Sequence, residues 1–309
     1  MDFASKLLSW YKVEGRDLPW RQPNNTPYRV VISEFMLQQT QVPRVIEKFQ
    51  EFLTLFPSIQ DLATATKAEV IKAWSGLGYN RRALLLHSFA KAVWENHNGI
   101  IPKTAEKLIT LPGIGPYSAG SVSSFAFNQP SPAIDVNVRR IFQRYFNGKD
   151  QGLPESKSNE KELFELVLKT IPKNKSSEFH NALMDFGSGI CTRYNPKCNS
   201  CFAEYSCKFA PLYKYQKDKV MYVMEKKKEK GITEDGKYIP HRIFRGRIVE
   251  WVRQNEGFLV DINKFGSIIK KDYTDEKEWL LKLIGDLQKD HLLEYRIKNE
   301  RIKLKIANS

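Results

Sequence analysis

The sequence predicts an all-α fold over about the first 211 residues, followed by a linker and a small α+β module of winged-helix character. Three observations carry that prediction. Apolar residues recur at three- or four-residue spacing in nine successive stretches, the pattern of helices with one buried face. Glycines and prolines fall between those stretches. Beyond residue 238 the spacing changes, ending in a run that alternates strictly, as strands with one buried face do.

In chain order, helices are expected over 2–13, 43–55, 67–74, 81–96, 104–110, 116–127, 135–146, 158–171 and 178–190. Pro57, Gly76 with Gly78, Gly99, Pro102, Gly113 with Gly115, Pro130 with Pro132, Gly148, Pro154 and Pro172 separate them. Few stretches alternate cleanly here, so no sheet is expected, and no internal repeat is visible. Residues 212–238 are densely charged and read as a linker. HRIFRGRIVEWVRQ and EKEWLLKLIGDLQKD then read as amphipathic helices, and LLEYRIKNERIKLKIA as a hairpin turning at Asn299-Glu300. Small helices closed by a hairpin make a winged-helix module over 239–309, for which a DNA-contacting or interaction role is expected.

At 309 residues, 41% hydrophobic and 12% aromatic, the chain can build a sizeable core. That excludes wholesale disorder and collagen- or mucin-like classes. No run of eighteen apolar residues exists, so no membrane contact of that kind is expected. MDFASKLLSWYKVEGRDLPW lacks the apolar core and cleavage site of a secretory signal, so a cytoplasmic protein is expected, nucleoid-associated if prokaryotic. Forty-nine Lys and Arg against 35 Asp and Glu leave a net charge of +14, about half of it beyond residue 211. Such an excess favours a polyanionic partner, and nucleic acid is the simplest one; solubility alone is the bland alternative.

All four cysteines fall in one window, at Cys191, Cys198, Cys201 and Cys207. Scattered core thiols do not bunch this way, and disulfide scaffolds spread their cysteines through a small domain. Four thiolates in one loop can hold zinc or an iron–sulfur cluster. Zinc sites usually pair two short knuckles, whereas here only Cys198 and Cys201 form one. The irregular single-loop spacing suits the larger footprint of a [4Fe–4S] cluster.

LPGIGPYSAGSVSSFAF (111–127) sets Gly113 and Gly115 between two helical stretches. Pro112 ends the first, the glycines permit a tight turn, and Pro116 fits a first helical turn. Backbone N–H groups at such a helix start face an anion, and a DNA phosphate held by Gly113 and Gly115 fits. A plain αα-corner is the alternative.

Together these pieces resemble the helix–hairpin–helix base-excision DNA glycosylases, most closely the MutY adenine DNA glycosylases. The resembling residues are GRDLPWR (15–21), SEFMLQQTQV (33–42), GLGYNRRALLLH (76–87), LPGIGPYSAG (111–120), AIDVNVRR (133–140) and NALMDFG (181–187), followed by the C-x6-C-x2-C-x5-C loop. The resemblance implies a six-helix barrel over 23–129 carrying the hairpin, and a cluster domain from 1–22 and 130–211. A linker at 212–238 and the winged-helix-like domain at 239–309 follow. It also implies a [4Fe–4S] cluster on the four cysteines and a monomer acting on double-stranded DNA that contains a mispair or oxidised base, held in the cleft between the two helical domains.

Adenine leaves deoxyribose poorly as an anion, so the base must be protonated and an oxocarbenium-like sugar stabilised. Glu34, inside the apolar run VVISEFML, matches the family's general acid, and desolvation there raises a carboxyl pKa. Asp135, near a helix start, matches the carboxylate that stabilises the cation or bonds to C1′. A buried structural glutamate and a helix N-cap aspartate are the alternatives. Endonuclease III-type relatives carry a lysine nucleophile where this chain has Tyr117, so base removal without efficient strand cleavage is expected. Gln39 and Tyr79 match the family's wedge residues, which fill the hole left by the extruded base. Arg21 and Asp185 match positions lining its adenine pocket, and Arg81 and Arg82 are phosphate-contact candidates.

Two departures stand out. Val136 replaces the glycine of the family's D-G-N-V motif, and the C-terminal segment is too short for the Nudix-like domain that recognises 8-oxoguanine. The function expected is removal of adenine mispaired with guanine or 8-oxoguanine. Thymine or uracil removal opposite guanine is the alternative within the fold, and a non-catalytic DNA-binding scaffold is the alternative outside it.

Overall fold

The computed structural model describes residues 2–23, 25–150, 157–216 and 229–307. In chain order the first stretch of helices is α1 (Phe3–Glu14), α2 (Pro27–Leu37), α3 (Val42–Leu55), α4 (Ile59–Thr64), α5 (Lys67–Ala73) and α6 (Arg81–Asn96). Then come α7 (Ala105–Leu108), α8 (Pro116–Phe127), α9 (Val136–Asn147), α10 (Lys157–Thr170), α11 (Ser176–Gly189) and α12 (Ala210–Gln216). All nine helices expected from spacing are present within a few residues. Three of these twelve were not anticipated, α2, α4 and α12, the last running into the expected linker. α2 is apolar on nearly every side, so it shows no period, and α4 is only six residues long. Residues 217–228 of the expected linker lie outside the described residues.

The chain separates into two compact units, Met1–Glu34 with Ile100–Glu225, and Phe35–Gly99 with Lys226–Ser309. The first is built around Phe3, Leu7, Phe142, Val167, Phe179 and Leu183, so that α1, α9, α10 and α11 share one core. Within it Gly120, in α8, lies against the backbone of Pro132; a Cβ there would stand 2.1 Å from the Pro132 carbonyl oxygen. Only glycine permits that approach.

In the second unit, α4 and α5 each begin with a capping box, Ser58 with Asp61 and Thr66 with Glu69, which fixes their starts by reciprocal hydrogen bonds. Val45, Phe49, Phe52 and Leu53 form the buried stripe of α3. The C-terminal module opens with a hairpin that sequence patterning left inside the linker, β1 (Gly231–Glu234) and β2 (Lys237–Pro240), turning at Asp235 and Gly236, both at positive φ. It continues through α13 (His241–Gln254), β3 (Leu259–Asp261), α14 (Ile262–Ile269), α15 (Lys277–Lys289), β4 (Leu293–Lys298) and β5 (Arg301–Ile306). β5 lies between β3 and β4, antiparallel to both. Asn299 and Glu300 form the expected two-residue turn, both at positive φ. Ile302, Leu304 and Ile306 of β5 point into a core with Phe244, Ile248 and Leu283, while Arg301, Lys303 and Lys305 face solvent. Ala68 and Ile71 of α5 belong to the same core.

Candidate active site

α2 carries Glu34 into apolar surroundings; the residue is 8% exposed. The hairpin turn after Leu111 uses Gly113 at φ 76°, Gly115 forms the N-cap of α8, and Pro116 is its first residue. One helical turn separates Tyr117 from Ser121, so both reach the same carboxyl. The Ser121 hydroxyl donates to Glu34 Oε2 at 2.6 Å, and the Tyr117 hydroxyl donates to the same group. Burial, with the Asp135 charge adding to it, pushes the Glu34 carboxyl up to about 7. The hydroxyls of Ser121 and Tyr117 and the charge of Arg21 oppose that shift. Burial, then the charges of Glu34 and Asp135, hold the Tyr117 phenol well above its ordinary value.

Asp135 is the N-cap of α9. Its Oδ1 accepts the backbone N–H groups of Asn137 and Val138, each at 2.8 Å, and its Oδ2 accepts Asn137 Nδ2 at 2.7 Å. Capping thus immobilises this carboxylate, whose charge acts on Glu34. Asn137 is held in turn by Arg140, whose Nη2 donates to Asn137 Oδ1 and to the Gly187 carbonyl, and whose Nε donates to the Cys191 carbonyl.

His180, Ser121 and Asn137 were not singled out by sequence. His180 Nε2 accepts the Ala133 N–H at 3.1 Å, and Nδ1 lies 2.9 Å from the Ser176 carbonyl and 3.0 Å from Ser124 Oγ. Those partners assign the proton to Nδ1. Burial lowers this imidazole to about 4. The signal for Ser121 was available, since it lies four residues after Tyr117 on the same helix. For His180 there was none, because an isolated histidine among apolar positions looks like core.

Arg21 and Asp185 meet, but chiefly each other. Arg21 Nη1 and Nη2 donate to the two Asp185 oxygens at 2.8 and 3.0 Å, and Arg16 adds its backbone N–H and Nε. Asp185 is thus saturated by two arginines. Gln39 and Tyr79 belong to the second unit, where both adopt left-handed backbone, φ 59° and 47°. Gln39 is exposed, and Tyr79 is 41% exposed.

Arg82 corrects an expectation. Instead of facing solvent or a phosphate, it is buried and donates to the carbonyls of Phe35, Met36, Leu77 and Gly78 and to Thr40 Oγ1. Five acceptors around one guanidinium hold the two turns that carry Gln39 and Tyr79. A phosphate has no access to it.

The four cysteine side chains, none in a disulfide, line one largely apolar cavity with Arg144, Phe186 and Phe209. Arg144 Nη1 lies 3.6 Å from Cys191 Sγ, and the Ala203 N–H lies 3.4 Å from Cys201 Sγ. Burial, with the neighbouring thiols adding to it, pushes Cys198 up to about 11 and Cys201 up to about 12. Among the described residues no group of three or more His, Cys, Asp or Glu is arranged to hold a metal ion. Four sulfurs around a cavity, with N–H donors beside two of them, fit a multi-iron cluster.

A family model for the HhH-GPD superfamily of base excision DNA repair proteins matches residues 32–169, which include Glu34, Tyr117 and Asp135. An adenine DNA glycosylase of Mycobacterium tuberculosis is 40% identical over 199 residues, which cover 64% of this chain and 64% of that one. The chain thus spans just under two thirds of that relative's length. An adenine DNA glycosylase of Buchnera aphidicola is 34% identical over 307 residues, covering 98% of this chain and 84% of that one. Among solved structures, a thermostable thymine-DNA glycosylase superposes with a TM-score of 0.63 at 30% identity, over 68% of this chain and 95% of that one. Fold and relatives agree: the chain belongs to the HhH-GPD superfamily of base excision DNA repair proteins, within its adenine DNA glycosylase family.

Proposed function

We propose that the chain is a monofunctional DNA glycosylase that hydrolyses the N-glycosidic bond of adenine mispaired with guanine or 8-oxoguanine. One observation carries the reading. A buried carboxyl raised to about 7 stands within electrostatic reach of a second carboxylate fixed by three N–H donors. Glu34 is protonated in a large share of molecules near neutral pH and gives its proton to the departing base, while Asp135 stabilises the cationic sugar or bonds to C1′, before water completes hydrolysis. Tyr117 stays a neutral phenol and orients the Glu34 carboxyl.

Double-stranded DNA is the partner. The start of α8 at Gly115 offers backbone N–H groups to a phosphate, and Gln39 and Tyr79 fill the space of the extruded base. Cys191, Cys198, Cys201 and Cys207 hold a [4Fe–4S] cluster. Bound there, it ties residues 191–207 into one rigid loop, and Arg140 links the Cys191 carbonyl to Asn137 and so to Asp135.

Removal of thymine or uracil opposite guanine is the second reading, favoured by the 30% identity to the thermostable thymine-DNA glycosylase. The 40% and 34% identities to adenine DNA glycosylases favour adenine. Base release from A·8-oxoguanine, A·G, A·C, T·G and U·G duplexes tests the choice. Release from T·G or U·G but not from the adenine pairs overturns the adenine reading.

A further inference from the structure

The turn between α5 and α6 is held from two directions. From inside, Arg82 binds the Leu77 and Gly78 carbonyls, and its guanidinium lies 5.5 Å from the Tyr79 ring centroid. The other hold comes from the C-terminal module. Glu250 of α13 accepts Ser75 Oγ on both carboxylate oxygens, at 2.9 and 3.0 Å. Arg253, one turn further on and 7% exposed in its side chain, donates twice to the Ile71 carbonyl and once to Asn80 Oδ1, at 3.0 Å. Its Nη1 pairs with Glu250 at 2.7 Å, so the two residues act as one clamp. At the start of α13, Arg242 stands 5.8 Å from the same Tyr79 ring centroid.

Those contacts bear on a segment that cannot hold itself. Gly76, Gly78 and Tyr79 all have positive φ. A non-glycine residue in that region persists only where its surroundings over-determine it. A groove of about 810 Å³ has Gln39, Tyr79 and Arg81 on one wall, and His241, Arg242 and Arg245 of the module on the other.

We propose that the C-terminal module is a brace for the Tyr79 turn and that Arg253 is a positioning residue for base extrusion. The proposal rests on the reading of Tyr79 as a wedge. It assigns the module a task in the chemistry of the neighbouring segment, in place of independent DNA binding. Truncating Arg253 strands the Ile71 carbonyl and the Asn80 amide in a buried setting and frees Tyr79 to leave its strained conformation.

The test uses the full chain and a duplex with 2-aminopurine beside the target adenine, where fluorescence rises when the neighbour unstacks. Arg253→Ala is expected to lose most of that rise and to slow single-turnover adenine release at least tenfold, while duplex affinity changes less than threefold. Adenine in a one-nucleotide bulge, already unpaired, is expected to be released at nearly the wild-type rate. Arg253→Lys, which keeps the charge but not the fork, is expected to recover only part of the loss. In a Tyr79→Ala background the effect of Arg253→Ala is expected to vanish. Equal slowing on bulged and paired adenine, or lost affinity with an intact fluorescence rise, overturns the brace. Absence of adenine release by the wild-type protein overturns the proposed activity instead, and the fluorescence assay still reports on the brace.

Discussion

His180 Nε2 accepts the backbone N–H of Ala133, two residues ahead of Asp135. The path that delivers the second carboxylate therefore hangs on a neutral imidazole. Protonation of Nε2 destroys the only lone pair available for that bond. Because burial lowers His180 to about 4, the unfolded chain takes up a proton below its own value of 6.5 while the folded chain does not. This contribution to stability is complete above pH 6.5 and is lost progressively as pH falls toward 4, by about 3 kcal/mol at about 1.4 kcal/mol per unit. Urea midpoints measured across that window are expected to fall, and to fall less steeply in His180→Gln. An equal slope in the variant contradicts the assignment.

Glu34→Gln removes the proton donor and keeps the shape. Adenine release is expected to drop by about 10² to 10⁴-fold, with duplex affinity nearly unchanged. Parallel single-turnover and filter-binding measurements separate the two effects; surviving excision refutes the acid role.

The acid form of Glu34 also sets a pH limb. With the carboxyl at about 7, the excision rate constant is expected to be level below that pH and to fall tenfold per unit above it. Ser121 donates to the carboxylate and so lowers its pKa. Ser121→Ala is expected to move the limb to higher pH, because the carboxylate loses a donor that favours its charged form.

The resemblance places Tyr117 at the position of the lysine nucleophile expected in endonuclease III-type relatives. Tyr117→Lys is expected to yield a covalent protein–DNA adduct on borohydride reduction, while the wild type yields none. Gel mobility of the reduced complex reads the result.

Protein purified without oxygen is expected to be brown and to carry about four irons per chain. Cys201→Ser is expected to lose the colour and to melt at lower temperature. A colourless protein containing one zinc would reverse the cluster assignment.

Much of this architecture was legible because amphipathic helices announce themselves by period. The last hairpin was equally plain, since Arg301, Lys303 and Lys305 alternate with Ile302, Leu304 and Ile306. α2 escaped for the same physical reason that makes Glu34 unusual: a helix apolar on nearly every side has no period, and a lone carboxyl inside it loses its solvent. The first hairpin of the module was hidden by charge, its turn at Asp235-Gly236 set in a run that reads as solvated chain. Arg82 was misjudged because sequence shows a cation and not the carbonyls that surround it. Motif resemblance located the carboxylates; the groups that hold them, Ser121, Asn137 and His180, came into view only through the folded backbone.

Gly120 sits on the helix that supplies both hydroxyls to Glu34, and it touches the strand of chain that runs on to Asp135. The gap between the two acids is therefore gauged by a carbon atom that is not there. Alanine at this position would act as a shim, prising the acid from its counterpart without altering any group that meets the sugar.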